Sequence, residues 1–302
     1  MAVLMGGWSA EREVSLVSGA GVARALEAEG YDVRAIDVQR DAAGLIAALT
    51  SPRPDVVFNA LHGRGGEDGT VQGILEFLGL PYTHSGVRAS AVAMDKEMTK
   101  RVLTPVGVPS LRAVVLHKGE TLPEGAIALP YIVKPVDEGS TVGVTLVRDG
   151  QNSPLADSWQ FGDRVMVEEY IPGRELTVAV LGDRALAVTE IDFGAQLYDY
   201  TAKYTNGHAT HYLPARIPDE VAEEAKRLAV LAHQTLGCRG VSRSDFRWDD
   251  SRPGLEGLYF LELNNQPGMT PLSLAPEQAA HVGISYGSLV SWLVENASCQ
   301  LT

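Results

Sequence analysis

A short apolar stretch late in the chain contains two oxygen-bearing side chains that could hold a metal ion. Residues 260–264 read FLELN. Because side chains alternate faces along a β-strand, Glu262 and Asn264 would project from the same face, about 7 Å apart at their Cα atoms. A carboxylate and an amide oxygen are ligands that Mg²⁺ selects. Asp245, in the strand-like stretch SRSDFRW, could lie beside Glu262 on a neighbouring strand and supply a third ligand.

Acidic residues near strand ends are most often solvated or form turns, and this alternative competes with metal binding. Glu262, however, is flanked by Phe260, Leu261 and Leu263. A charge inside an apolar strand usually has a partner or a metal. The segment that follows, NQPGMTPLSL at 265–274, is also unlike a plain turn. The pattern therefore favours a hard-cation site.

A lysine at the end of an apolar strand indicates an anion site. Residues 131–144 read YIVKPVDEGSTVGV, in which Lys134 precedes a small, flexible loop. The functional interpretation is a cover over nucleotide phosphates, with Lys134 as a point charge and Ser140 and backbone N–H groups as donors. The loop lacks the P-loop sequence. A plain hairpin remains an open alternative.

Three further segments are candidates for ligand contacts. The extended stretch at 165–178 (VMVEEYIPGRELTV) could present backbone groups to an adenine edge and Glu175 to a ribose hydroxyl, although such glutamates ordinarily face solvent. The tyrosine-rich stretch at 194–213 favours a lid, because long loops in compact domains are usually functional or disordered and disordered segments are poor in aromatics. In LHGRGGEDGT at 61–70, His62 is either a substrate contact or a loop histidine satisfied locally.

Composition restricts the class of protein. The 302 residues are 45% hydrophobic and 21% charged, with a net charge of −13. Such a chain can form two or three globular domains. The acidic balance argues against general binding to nucleic acid or to anionic membranes. No segment resembles a signal peptide or a membrane span, so we expect a cytoplasmic protein. Its two cysteines are expected to be reduced thiols.

The element pattern indicates an N-terminal α/β domain. Strand patterns at 2–5, 31–38 and 55–60 alternate with helical segments, the first predicted at 10–28 with Ser9 as its cap. This alternation predicts a parallel sheet covered by helices. A dehydrogenase of the Rossmann class is disfavoured because GxGxxG is absent.

The remainder predicts a small antiparallel α+β module and a larger C-terminal part. We expect a helix at 89–103, and strands at 111–116, 131–134, 142–147, 165–169 and 176–181. A helix at 218–236, stopped by Gly237, precedes the strands of Asp245 and Glu262 and a final helix near 286–296. The predicted domains are 1–88, 89–178 and 179–302.

Together these motifs resemble the D-alanine:D-alanine ligases of the ATP-grasp superfamily. The resemblance covers nearly the whole chain, in the segments GGWSAEREVSLVSG, LHGRGGEDGTVQG, MDK, IVKPVDEGSTVG, YDYTAKY, SRSDF and LELNNQPGMTPLSL. It implies an N-terminal parallel-sheet (pre-ATP-grasp) domain followed by a two-lobed α+β ATP-grasp fold. It also implies ATP and two Mg²⁺ (or Mn²⁺) ions as cofactors, and a homodimer formed through the N-terminal domain. Two positions depart from the family pattern, Trp8 and Asn265.

The resemblance assigns roles around the cofactors. Asp245, Glu262 and Asn264 would hold the two metal ions, with Glu262 bridging them. ATP would lie between the two lobes. The residues implied near its phosphates are Lys96, Lys134 and Lys203, and those implied near adenine and ribose are Glu168, Glu169, Ile171 and Glu175.

The implied reaction joins two D-alanine molecules. The carboxylate of the first attacks the γ-phosphorus of ATP, and the amine of the second then displaces phosphate from the acyl phosphate. Arg243 and the backbone N–H of Gly268 would stabilise the oxyanion. Ser273 and Leu274, at a helix start, would bind the carboxylate of the second substrate.

Glu11 would bind the ammonium group of the first D-alanine, with His62 as a further substrate contact. Glu11, Ser140 and Tyr204 resemble a latch that closes the lid and excludes water. Tyr204 also favours the dipeptide over a D-lactate depsipeptide. None of the motifs identifies a general base for the attacking amine.

Two alternatives remain open. One is an ATP-grasp ligase that takes D-serine or D-lactate as its second substrate. The other is a non-catalytic nucleotide-binding module. The presence of every expected catalytic residue type argues against it: Asp245, Glu262, Asn264, Arg243, Lys203 and Ser140.

Overall fold

The first part of the chain forms a parallel sheet, as the sequence predicts. The computed structural model describes residues 1–139, 143–150, 159, 162–194 and 209–300, and every element named below lies in these ranges. The sheet order is β2-β1-β3, from β1 (Ala2–Gly6), β2 (Arg34–Val38) and β3 (Val57–Asn59). The accompanying helices are α1 (Arg12–Ala28), α2 (Ala42–Thr50) and α3 (Thr70–Phe77).

Helix α1 begins at Arg12 rather than at Ala10, so Ser9 is not its cap. Glu11 occupies the N-cap position instead. The Ser9 hydroxyl donates to the carbonyl of His62 at 2.7 Å and accepts the N–H of Glu11 at 3.2 Å. Ser9 therefore ties the turn before α1 to the loop after β3, which brings Glu11 and His62 to one side of the sheet.

The single helix predicted at 89–103 is wrong, because the chain breaks at Asp95. Two helices result, α4 (Val87–Met94) and α5 (Lys96–Leu103). Asp95 has an extended backbone, and its carboxylate accepts the N–H of Met98 at 3.0 Å. This is N-cap geometry, which satisfies one of the free N–H groups of a helix start. The break places Lys96 in the first turn of α5; a 3₁₀ turn follows at Thr104–Val106.

Two antiparallel sheets follow. The smaller has the order β4-β7-β5-β6, from β4 (Ala113–His117), β5 (Tyr131–Pro135), β6 (Thr145–Val147) and β7 (Arg164–Glu169). The larger has the order β10-β9-β8-β11-β12, from β8 (Arg174–Leu181), β9 (Arg184–Asp192), β10 (Thr210–Tyr212), β11 (Val241–Trp248) and β12 (Leu258–Asn264).

One strand lies in a different sheet from the one expected. The segment predicted at 176–181 as part of the small module is β8, which pairs with β9 and β11 in the larger sheet. The turn at Gly173, where φ is +96°, separates it from β7. Residue 178, the predicted domain limit, falls inside β8. The two limits between the three predicted domains remain predictions.

Three helices complete the described chain: α6 (Asp219–Leu236), α7 (Leu274–His281) and α8 (Tyr286–Glu295). Helix α6 ends at Gly237 with φ of +72°, as predicted. Its apolar face packs on the larger sheet, with Leu228 and Phe246 in one core. Leu289 and Leu293 of α8 pack with Phe58 of β3 in another core. Within the described ranges, no helix is long and apolar enough to cross a membrane.

Candidate active site

One cavity of about 260 Å³ gathers residues from motifs that are far apart in the sequence. Its walls come from the start of α1, the loop after β3, helix α5, the larger sheet and the loop after β12. The predicted site residues that line it are Glu11, His62, Lys96, Glu175, Arg243, Asp245, Glu262, Asn264, Gly268 and Leu274. The fold therefore brings together the predicted metal, substrate and oxyanion residues.

The acidic centre of the cavity is built by strand pairing. Asp245 lies opposite Glu262, and Arg243 lies opposite Asn264, in the antiparallel pair β11–β12. On its other side Asp245 pairs with Thr177 of β8. Its carboxylate accepts a hydrogen bond from Thr177 Oγ1 at 2.6 Å and two from Arg243, from Nε and Nη2, at 3.0 Å each. Asp245 is therefore held in one orientation by its neighbours.

The second carboxylate has a lysine beside it. Lys96 Nζ lies 3.3 Å from Glu262 Oε2 and donates to the carbonyl of Glu138 at 2.5 Å. Lys96 is buried. Burial of charge is costly unless opposite charges are close. Lys96 and Arg243 together balance the two acidic groups in this structure.

The oxygen donors at this centre suit a hard divalent cation. Asp245 and Glu262 offer carboxylate oxygens and Asn264 offers an amide oxygen, which here accepts the N–H of Gln266 at 3.0 Å. Across the described residues, no group of three or more His, Cys, Asp or Glu side chains could hold a metal ion. The predicted metal ligands are two carboxylates, Asp245 and Glu262, and the third is the amide of Asn264. Its chemistry fits Mg²⁺ or Mn²⁺, which prefer oxygen.

Two residues predicted around ATP belong to a buried ionic cluster beside the cavity. Lys134 of β5 and Lys100 of α5 contact the two oxygens of Glu168 on β7, Lys134 at 2.6 Å. Burial alone would raise the pKa of Glu168, but Lys134 and Lys100 outweigh it and lower that pKa. Burial lowers the pKa of Lys100. Lys100 was not predicted as a site residue, although its spacing of four from Lys96 places both on one face of a helix.

The connection between the two antiparallel sheets carries the remaining predicted nucleotide contacts. Glu169 accepts the N–H of Arg112 at 3.4 Å. Arg247 donates to the carbonyl of Ile171 at 3.2 Å, and its guanidinium lies 3.8 Å from the Glu175 carboxylate, its cross-strand partner. Arg247, which was not predicted as a site residue, therefore holds the backbone and the acidic group at this connection.

The predicted contacts for the first substrate lie near the N-terminal domain. Both ring nitrogens of His62 have partners, Glu67 Oε1 at 2.9 Å and Ser18 Oγ at 3.3 Å. These contacts agree with the alternative prediction that this histidine is satisfied locally. A Cβ on Gly139 would lie 3.3 Å from Glu11 Oε2, so Glu11 reaches the start of the loop expected to cover phosphates. Ser140, Lys203 and Tyr204 lie outside the described residues.

The loop after β12 ends at the start of α7. Ser273 is the N-cap residue of α7, and its hydroxyl accepts the N–H of Thr270 at 3.1 Å. A Cβ on Gly268 would lie 3.0 Å from Ser273 Oγ, so the loop folds tightly on itself. Leu274 lines the cavity, whereas Ser273 is not among its lining residues. Asn265 anchors the loop by donating to Ser90 Oγ at 2.9 Å.

Several cavity residues gave no usable signal in the sequence. Met94, Ile191 and Phe193 supply apolar surface, and His211 supplies a titratable ring. His211 belongs to the short strand β10, and its Nδ1 lies 3.0 Å from Glu277 Oε2 on α7. Each of these residues reaches the cavity through long-range packing, which a local pattern does not encode.

An N-terminal parallel-sheet domain joined to two antiparallel sheets, with a polar cavity among them, defines a protein of the ATP-grasp class. A family model described as "D-ala D-ala ligase C-terminus" matches residues 111–295, and one described as "D-ala D-ala ligase N-terminus" matches residues 43–85. The chain belongs to the D-alanine–D-alanine ligase family.

Individual relatives agree with this assignment. The D-alanine–D-alanine ligase of Rhodospirillum rubrum is 57% identical over 98% of this chain and 97% of its own length. That of Chelativorans sp. (strain BNC1) is 55% identical over 99% and 98%. The solved D-alanine–D-alanine ligase from Bacillus anthracis complexed with ATP has a TM-score of 0.84, at 30% identity and coverage of 98% and 96%. VanG D-Ala:D-Ser ligase from Enterococcus faecalis has a TM-score of 0.80, at 28% identity and coverage of 97% and 98%.

Proposed function

We propose that this protein joins two D-alanine molecules into D-alanyl-D-alanine for peptidoglycan precursor synthesis, with ATP as the phosphoryl donor and an acyl phosphate as the intermediate. The observation that carries the proposal is that one cavity is lined by the Asp245–Glu262 pair and Lys96 together with Gly268 and Leu274. Family membership supports the choice of substrates.

The acidic centre would serve the phosphoryl-transfer step. Asp245, Glu262 and Asn264 would hold two divalent ions, Mg²⁺ or Mn²⁺, which when bound neutralise charge on the phosphates. Lys96 already lies beside Glu262 and would contact a phosphate. The remaining proposed nucleotide contacts are Lys134, Glu168, Glu169, Ile171, Glu175 and Lys203.

The other end of the cavity would position the two amino acids. Glu11 and His62 would bind the first D-alanine, and Ser140 and Tyr204 would complete the closed site. Arg243, released from Asp245 when a cation takes its place, would join the N–H of Gly268 in stabilising the oxyanion. Ser273 and Leu274 would hold the carboxylate of the second substrate at the start of α7.

The same family membership supports the proposed organisation: domains of 1–88, 89–178 and 179–302, a homodimer through the N-terminal domain and a cytoplasmic location. A ligase that accepts D-serine in the second position is the second candidate, because the chain is also similar to a D-Ala:D-Ser ligase.

The test is turnover of the purified protein. ADP release should require D-alanine, ATP and a divalent ion together, and mass analysis of the product should identify D-alanyl-D-alanine. D-serine and D-lactate, each offered with D-alanine, test the alternatives. Turnover that depends on D-lactate or D-serine, and not on D-alanine as second substrate, would contradict the proposal.

A further inference from the structure

His211 lines the cavity, and one of its ring nitrogens contacts a carboxylate. It lies on β10 opposite Ile191 of β9, and both residues line the cavity. Its Nδ1 is 3.0 Å from Glu277 Oε2. Among the described residues, Nε2 has no hydrogen-bond partner. A histidine oriented by a carboxylate through one nitrogen is arranged to accept a proton at the other.

Glu277 links this histidine to the proposed binding element of the second substrate. It lies in the first turn of α7, and its N–H donates to the carbonyl of Ser273 at 2.9 Å. Ser273 and Leu274 are the proposed contacts for the second carboxylate. Because the ammonium and the carboxylate of an α-amino acid share one carbon, a substrate held there presents its ammonium close to the same helix start.

The other basic groups of the cavity are already engaged. His62 has partners at both ring nitrogens, and its side chain is 5% exposed, against 31% for His211. Asp245 accepts from Thr177 and Arg243. The Glu67 carboxylate lies 2.9 Å from His62 Nδ1, from which it can accept a hydrogen bond. His211 is thus the cavity histidine that can take a proton without losing a partner within the described part of the chain.

We propose that His211 is the general base for the second step and that Glu277 keeps its ring in the tautomer with the proton on Nδ1. The inference rests on the proposed ligase function. One ammonium proton passes to Nε2, and the freed lone pair forms the C–N bond at the acyl carbon. Collapse of the oxyanion breaks the C–O bond to phosphate, which leaves with that electron pair. The second proton leaves the nitrogen for the departing phosphate, and His211 returns its proton to solvent.

The test uses two nucleophiles with one variant. His211→Gln should lower dipeptide formation by about 100-fold or more, the usual contribution of a positioned base. Hydroxylamine is already uncharged at neutral pH and needs no base. Its trapping of the first D-alanine as a hydroxamate should therefore stay within about threefold of wild type in the same variant.

Two further variants complete the design. Glu277→Gln should lower dipeptide formation by about 10-fold or more without lowering hydroxamate formation, because the favoured tautomer is lost. His281→Gln makes the same change as His211→Gln at an exposed residue of α7 outside the cavity and should leave both products unchanged.

Failure of the proposed role of His211 can be distinguished from failure of the proposed ligase function. Wild-type dipeptide formation by His211→Gln would overturn the inference. An equal loss with both nucleophiles would also overturn it, since it would show a positioning role. If the wild-type protein makes neither dipeptide nor hydroxamate from D-alanine and ATP, the proposed function itself fails.

Discussion

Asp245 and Glu262 are cross-strand partners on β11 and β12, and the strand register shifts immediately after Asp245. Side chains directly opposite each other in an antiparallel pair are close, and like charges there destabilise the sheet. In this structure Arg243 and Lys96 compensate the two acids. Under the proposed function, divalent cations would take the place of these two basic side chains beside the carboxylates.

Replacement of Glu262 by Gln tests this acidic centre. The change keeps the size of the side chain and removes one charge, so we expect kcat to fall by about 100-fold or more. Rates of ADP release should be measured over a range of Mg²⁺ concentrations. Glu256→Gln, at an exposed residue before β12, is the matched control and should behave as wild type. An unimpaired Glu262→Gln enzyme would overturn the metal assignment.

Replacement of Glu168 by Gln tests the buried ionic cluster. Lys100 and Lys134 would remain buried without a negative charge, and breaking such a cluster typically costs about 3–5 kcal/mol. Urea unfolding at neutral pH should show this loss. Glu224→Gln, which breaks the Glu224–Arg227 pair on the surface of α6, should change the free energy of unfolding by at most about 1 kcal/mol. Equal effects of the two variants would contradict a special role for burial.

A pair of glycine variants separates backbone strain from collision. Gly173 and Gly254 both have positive φ, +96° and +56°, so alanine at either position costs about 1–2 kcal/mol. A Cβ at Gly173 would also lie 2.2 Å from the carbonyl oxygen of Trp248, whereas nothing lies within 4 Å at Gly254. We expect Gly173→Ala to be less stable than Gly254→Ala by about 1–3 kcal/mol. Thermal or urea unfolding of both variants measures the difference, and similar losses would refute the collision.

Buried histidines predict a loss of stability in mild acid. Burial lowers the pKa of His84 from 6.5 to about 3 and that of His233 from 6.5 to about 4. The unfolded chain therefore binds protons below about pH 6.5 that the folded chain does not. Stability is fully present above that pH and falls as the pH drops towards the folded values, by up to about 1.4 kcal/mol per unit for each histidine.

His233→Gln isolates one contribution to this slope. Urea unfolding at neutral pH and at about pH 5 should show a smaller difference for the variant than for wild type. His281→Gln, at an exposed histidine, should keep the wild-type difference. An unchanged slope in His233→Gln would contradict the burial argument.

The sequence predicts the elements whose patterns are local. The alternation in FLELN and SRSDFRW is sufficient to place Glu262 and Asp245 on strands, and the structure pairs them. The break at Asp95 and the placement of β8 escape such reasoning. The break at Asp95 arises because its carboxylate caps a new helix instead of continuing the first one. The sheet to which β8 belongs depends on the strands with which it pairs, and these are distant in the sequence. Lys100 and His211 reach their positions only through tertiary packing.

The cavity is assembled from the two ends of the chain, since Glu11 and Leu274 line it together with β11 and β12. During synthesis, the ribosome releases the N-terminal helix long before the acidic strands exist. The site therefore arises only when translation is almost finished. A prematurely terminated chain that lacks β12 and α7 would keep Asp245 and Arg243 but would lose Glu262, Asn264, Gly268 and Leu274, and with them the acidic pair and one wall of the cavity.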